Sequence, residues 1–274
     1  DEAAADFAAA LGCVESGTQR RTICDNAARD ERVFPRLLSL LPRDAQLRAA
    51  RGQLLASRSD WQGAAQEYRS FIEPYRLNDA TEEYARLLLL LGSEQEYRKL
   101  CQRLRGDFGE TDTAAAAYVL VSICTAGPQS GVEPATMIRW AERVAAASGD
   151  FYPLGAAHYR AGGYERAVEA LEKTDVPGGQ PIPMPFFLAM AYHRLGQPEK
   201  SRRLFDLGLR FLQDRTPPAD SDVPVNVNLR DWLHLSLMRR EAEAVLRLSE
   251  EPTPKTERIV PDATPAEKKA GDGP

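Results

Sequence analysis

Histidine is scarce in this 274-residue chain, at three residues, and cysteine is little commoner, at four. The histidines (His158, His193, His234) form no HxxxH pair and have no clustered carboxylate beside them, so the spacing a metal site needs is missing. Cys13, Cys24, Cys101 and Cys124 are scattered without CxxC spacing, which excludes a dense disulfide framework or a zinc finger. Cys101 and Cys124 lie among apolar helical neighbours and read as small core residues. The redox state of Cys13 and Cys24 stays open, a bridge between them included. Long apolar runs are missing too. The longest run of leucine, Leu87 to Leu91, is five residues, and no apolar run approaches the roughly 18 residues of a membrane-spanning helix. An excess of one charge is absent: the net charge is only -5 and the signs are interspersed, so no basic field for nucleic acid or an anionic membrane exists. β-branched runs are few beside alanine and leucine, which favours helix over strand.

The chemistry of an active site is equally hard to find. Serine and cysteine lack a GxSxG elbow or a legible histidine partner. Gly178-Gly179 sits between prolines and reads as a loop, not as a dinucleotide-binding turn. Glu165, Glu169 and Glu172 alternate with Arg166 and Lys173 at helical spacing, the pattern of a solvated face. A helical glycosidase would need paired carboxylates in an aromatic-lined cavity, and the chain has three tryptophans. No enzyme, cofactor or metal is therefore expected.

What is present is regular punctuation. Ser59-Asp60, Gly92-Ser93, Gly162-Gly163 and Gly196-Gln197 each follow one apolar helical run and precede another. Glycine tolerates the left-handed backbone that ends a helix, and Asp or Ser caps the next one, so each pair reads as the turn of a helical hairpin. Small residues give the register. Gly52 and Ala85 are 33 residues apart, Ala85 and Gly155 are 70 apart, and Gly155 and Ala189 are 34 apart. Seventy is two periods, so a further hairpin is expected over residues 112–148. A helix–turn–helix unit of about 34 residues resembles the tetratricopeptide repeat. The best copy is "FYPLGAAHYRAGGYERAVEALEKT" from Phe151, with Leu154-Gly155, Gly162, Tyr164, Ala167 and Leu171 in the family's places. The copy around Ala85 departs from the pattern, since Tyr97 replaces the small residue of its second helix.

The expected fold is thus all-α, a right-handed superhelical solenoid of tetratricopeptide-like hairpins with a C-terminal capping helix. Residues 1–43 read as an atypical N-terminal hairpin, in which Pro35 opens or kinks the last helix. About five hairpins fill 44–213, and the three-proline stretch 214–224 reads as a linker loop. The capping helix occupies 225–249, with Leu229, Trp232, Leu233, Leu237, Val245 and Leu246 available for packing. Residues 250–274, with five prolines and few large apolar residues, read as a disordered tail. The chain begins at Asp1 with no basic-then-apolar leader, and reads as a piece of a longer protein.

At a finer level, "YRKLCQRL", "WAERVAAASGD", "AAHYRAGGYERAVEALEK" and "LMRREAEAVL" occur in an order similar to the C-terminal tetratricopeptide region of large bacterial proteins. Those proteins carry a eukaryotic-like serine/threonine kinase domain or WD40 repeats. The resemblance spans about residues 40–249 and implies a non-catalytic, cytoplasmic module of a larger signalling protein. No HRD tripeptide and no glycine-rich phosphate loop is present, so kinase activity would lie outside this chain. In such solenoids the first helix of each hairpin lines a concave groove. The register directs Tyr152, Tyr159 and Arg160 into it, followed by Phe186, Met190, His193 and Arg194. Aromatic, methionine and arginine side chains suit a protein or peptide partner of acidic or aromatic character. The row Gln53, Arg86, Ala156, Met190 lacks the lysines and asparagines of a carboxylate clamp. The leading function is therefore a protein–protein interaction scaffold, and the second is a structural spacer or self-association module.

Overall fold

The computed structural model describes residues 2–13, 17–73, 76–174, 183–213 and 229–247. Among these, fourteen α-helices and no strand occur. Helices α1 (Glu2–Cys13), α2 (Gly17–Arg29) and α3 (Val33–Leu40) precede five hairpins. The hairpins are α4 (Ala45–Ser57) with α5 (Trp61–Phe71), α6 (Asp79–Leu90) with α7 (Glu94–Phe108), α8 (Ala114–Thr125) with α9 (Pro134–Ser148), α10 (Tyr152–Arg160) with α11 (Tyr164–Glu172), and α12 (Met184–Arg194) with α13 (Pro198–Gln213). A last helix, α14 (Leu229–Arg247), follows. The chain is an all-α solenoid of tetratricopeptide-like hairpins, as the period implies.

Turn chemistry sets the hairpins. Gly92, Gly162 and Gly196 end first helices at φ of 70°, 78° and 69°, a region that glycine enters without steric penalty. The first turn uses Ser59 instead, at φ 59°, and the next residue's carboxylate caps α5 by accepting the Gly63 N–H at 2.8 Å. Within a hairpin the two helices close on small residues. A Cβ on Gly155 would stand 2.4 Å from Leu171 Cγ, and one on Gly52 would stand 2.7 Å from Tyr68 Cε2. The departure at Tyr97 also has a physical reason. Its ring is buried, and its hydroxyl donates to the Ile123 carbonyl at 2.8 Å and accepts the Gly127 N–H at 3.1 Å. The tyrosine thereby ties α7 to the end of α8 in the next hairpin.

The N-terminal part holds three helices where a hairpin was expected, packed around Leu11, Cys24, Ala27, Phe34, Leu37, Leu47 and Ala50. Pro35 lies in the first turn of α3, after Asp30 Oδ1 has accepted the N–H groups of Arg32 and Val33, so it opens that helix. All four cysteines are free, with Cys13 exposed and the other three buried. Burial, with help from Asp44, pushes the Cys24 thiol up to about 11. No helix among the described residues is long and apolar enough to cross a membrane. The expected linker at 214–224 and tail at 250–274 fall outside the described residues.

The solenoid interior divides into two large apolar clusters, one built mainly by α4 to α9 and one by α10 to α13. Helix α14 enters both. Leu229 and Leu233 join the first cluster, while Leu235, Met238 and Ala242 join the second. It therefore caps the array along the face of the first helices, packing chiefly on α6 and α12.

Candidate functional site

The face of the first helices is a trough walled by α6 and α12, with α10 beneath, and α14 lies in it. At 3.6 residues per turn, Leu233 and Ala242 point about 180° apart. Both are fully buried, so the helix is gripped from two sides and not laid on a flat surface. Beside the α6 wall, Trp232 stacks on Trp61 at the start of α5, with ring centroids 5.2 Å apart and planes 6° from parallel. Arg230 donates to Asp79 Oδ1 at 2.7 Å and stands 3.8 Å from Glu82. At the other end Glu241 takes both Nη groups of Arg160, one of them at 2.8 Å. The same guanidinium donates from Nε to the Thr125 carbonyl at 2.9 Å and lies 5.4 Å from the centre of the Phe187 ring. Burial opposes its charge most strongly, but Glu241, Tyr97 and Tyr159 together outweigh that and the pKa of Arg160 is raised.

Polar groups are buried under the middle of α14. Arg86 pairs with Glu82 at 3.0 Å, and Ser122 bridges them, accepting from Arg86 at 2.8 Å and donating to Glu82 at 2.9 Å. Arg86 Nε has no hydrogen-bond partner among the described residues. His234 sits 3.3 Å from the Tyr152 hydroxyl, and burial, then Arg86, Arg160 and Arg230, hold it well below its usual pKa. It is therefore neutral; the trough itself contributes two guanidinium groups, Arg86 paired with Glu82 and Arg160, while Arg230 belongs to α14. Further along α6, burial raises the Glu83 carboxyl to about 7, although it accepts hydrogen bonds from Tyr68 and, at 3.3 Å, from Gln53.

Three of the seven residues assigned to the groove from the sequence meet here. Tyr152, Tyr159 and Arg160 gather around Phe187 and beneath α14. Their side chains are buried, not displayed on an open groove. Met190 is buried in the same cluster. Phe186 turns the other way, into its own hairpin, edge-on to Phe205 at 5.8 Å and against Gly208. His193 is half-buried and Arg194 exposed in the last turn of α12. The residues that the sequence reading missed are Trp61, Glu82, Arg86, Phe187, Trp232, His234 and Glu241. A signal for the covering existed: α12 is apolar all round, and a helix without a polar face is a buried one. No group of three or more His, Cys, Asp or Glu that could hold a metal occurs among the described residues.

No protein-family model matches the chain, and no curated protein matches it. Solved structures do. "MamA 41-end from Desulfovibrio magneticus RS-1" aligns over 63% of this chain and 97% of its own, with 16% identity and a TM-score of 0.38. "Crystal structure of MamA protein" aligns over 66% and 98%, with 19% identity and a TM-score of 0.36. At those scores neither likeness bears on function.

Proposed function

We propose that the chain is a non-catalytic protein–protein interaction module, serving as a regulatory or docking region of a larger signalling protein. One observation carries this reading. The trough between α6 and α12 holds a helix by surrounding it with aromatic and apolar side chains and by pairing its carboxylate with Arg160. A surface that grips one helix in this way has the chemistry to grip an acidic or aromatic partner segment. The partner's entry lies at the rim, where Arg194, two turns after Phe187 on the same face of α12, flanks the trough outside the core.

The test is affinity capture from the source cell's lysate, comparing the chain with a His193→Ala, Arg194→Glu variant whose helical circular dichroism is unchanged. A protein kept by the parent and released by the variant supports the module and supplies its ligand. A protein held equally by both moves the site away from this rim. The spacer or self-association reading is favoured by one feature. Leu40 on α3 and Leu207 on α13, towards the two ends of the array, are 56% and 50% exposed. A mass that rises with concentration in light scattering selects that reading, and a monomer with no captured protein removes the interaction module.

A further inference from the structure

Helix α14 has the features of a bound ligand as well as those of a structural cap. Its anchors are separated along its length: the Trp232 ring lies on Trp61 near one end, and the Glu241 carboxylate lies on Arg160 near the other. Nine residues, two and a half turns, separate them, so they point to opposite sides of the helix, one to Trp61 on α5 and the other to Arg160 on α10. Between them the contacts are unusually polar for an interior. His234, Arg86 and Glu82 lie there, and one buried guanidinium nitrogen has no partner among the described residues. By contrast, two of the hairpins close on contacts of their own, Gly155 on Leu171 and Gly208 on Phe186.

The connection permits departure. Fifteen residues, 214–228, join α13 to α14. At roughly 3.3 Å per extended residue they reach about 50 Å, well beyond the roughly 28 Å length of a 19-residue helix. The connection is therefore long enough for the helix to leave the trough.

We propose that α14 is an exchangeable, intramolecular occupant of this trough. The partner it holds off is another amphipathic helix, bearing an aromatic residue near its start and a carboxylate nine residues later. The inference rests on the interaction-module reading and specifies its ligand. Charge complementarity fixes the pattern: Arg160 of the trough takes the carboxylate Glu241 of α14, while Asp79 and Glu82 of α6 take its Arg230, so an occupant carries a base near its start and an acid nine residues after its aromatic anchor. Tethering sets the threshold. A short linker gives an effective concentration on the order of 1 mM. A helix with a Kd of about 10 μM as a free peptide would then hold the trough closed in about 99 of 100 molecules, and lower a competitor's apparent affinity about 100-fold.

The experiment uses the full chain with a protease site placed between residues 214 and 224 and cut after folding. The probe is a fluorescent peptide of sequence Leu229–Arg247. Expected results are that the cut protein keeps its helical circular dichroism and cooperative melting, and that it binds the peptide one to one as the cut fragment leaves. The uncut chain binds the same peptide about 100-fold more weakly. Peptides with Trp232→Ala or Glu241→Arg lose at least tenfold. Equal binding by cut and uncut protein overturns the inference, as does loss of cooperative melting when the fragment dissociates. Hydrogen exchange on the uncut chain gives a second readout: α14 amides must open before those of α6 and α12, and exchange of all three only on global unfolding overturns the proposal. Peptide exchange with no partner captured from lysate removes the scaffold reading alone, whereas capture without exchange removes only this one.

Discussion

Replacing Glu241 by alanine is the most informative single perturbation of the trough. The Arg160 side chain is 4% exposed and that of Glu241 19%, so the deletion strands a guanidinium in the interior. Removing one member of a buried ion pair typically costs 3–5 kcal/mol, because the remaining charge stays desolvated. Two features reduce that figure here. Arg160 keeps the Thr125 carbonyl at 2.9 Å and the faces of Phe187 and Tyr159 at 5.4 and 5.6 Å. Water also has access to the cavity through the partly exposed position 241. The expected loss is about 2–3 kcal/mol. It falls on the docking of α14 and not on the hairpins, so native-state hydrogen exchange should show α14 amides losing protection by roughly 30- to 150-fold. Amides of α4 and α5 should be unchanged. Adding Arg160→Met to the variant removes the stranded charge and should recover part of the loss, a coupling that a double-mutant cycle measures. If Glu241→Ala changes α14 protection by less than threefold, and the second substitution changes nothing further, the ion pair does not hold the helix and the ligand-like description fails.

Three other outcomes follow from the same packing. Gly155→Val should destabilise by about 1–3 kcal/mol in urea titration, since even its Cβ would meet Leu171 at 2.4 Å. An unshifted midpoint would mean that α10 and α11 are less closely packed than described. Tyr97→Phe should cost about 1–2 kcal/mol, because the Gly127 N–H loses its buried acceptor and the Ile123 carbonyl loses its donor. A loss below about 0.5 kcal/mol in the same titration, no more than a surface substitution costs, would refute that role. Glu83 makes stability depend on pH. Its pKa is raised from 4.5 to about 7, so the fold favours the neutral acid; that contribution is complete below 4.5 and is lost as pH rises through 7. The parent should therefore lose on the order of 3 kcal/mol relative to Glu83→Gln between pH 4.5 and 8. Comparing the two proteins isolates Glu83 from His234, whose lowered pKa acts in the opposite sense, with its contribution present above 6.5 and lost on acidification. Parallel stability–pH curves would show that Glu83 titrates normally.

The hairpins were legible because their determinants are local. Gly92, Gly162 and Gly196 mark turns by backbone freedom, Asp60 by its cap, and Gly52 and Gly155 by the side chain that each would clash with in its own hairpin. All these partners lie within one repeat. The position of α14 was not legible from the same signals. Arg160 and Glu241 are 81 residues apart, and Tyr152 and His234 are 82 apart, and no periodicity connects them. The repeat register also identifies a helix more firmly than a direction on it. In α12 every residue from Phe186 to Tyr192 is buried, so polarity could not separate Phe186, which faces α13, from Phe187, which faces the trough. α6 is the same case with charges included. Thr81 to Leu88 are all buried, and Glu82, Glu83 and Arg86 are tolerated only because Arg230, Tyr68 and Ser122 meet them.

That all-round burial bears on how the trough works. Taking α14 away would expose Leu233, Leu235, Met238 and Ala242 together with the Phe187 and Met190 surfaces beneath them. At about 1.5–3 kcal/mol for each large side chain returned to water, an empty trough is a costly state and a sticky one. Arg86 and Arg160 would gain water at the same time, so the polar part of the floor would be relieved while the apolar part was penalised. A partner helix that supplies both an aromatic anchor and a carboxylate satisfies the two parts together, and one that supplies only the carboxylate leaves the Trp61 ring uncovered. The trough is therefore built for the exchange of one helix for another and not for standing open. Selectivity among partners is set by how closely each reproduces the nine-residue interval between the ring and the acid.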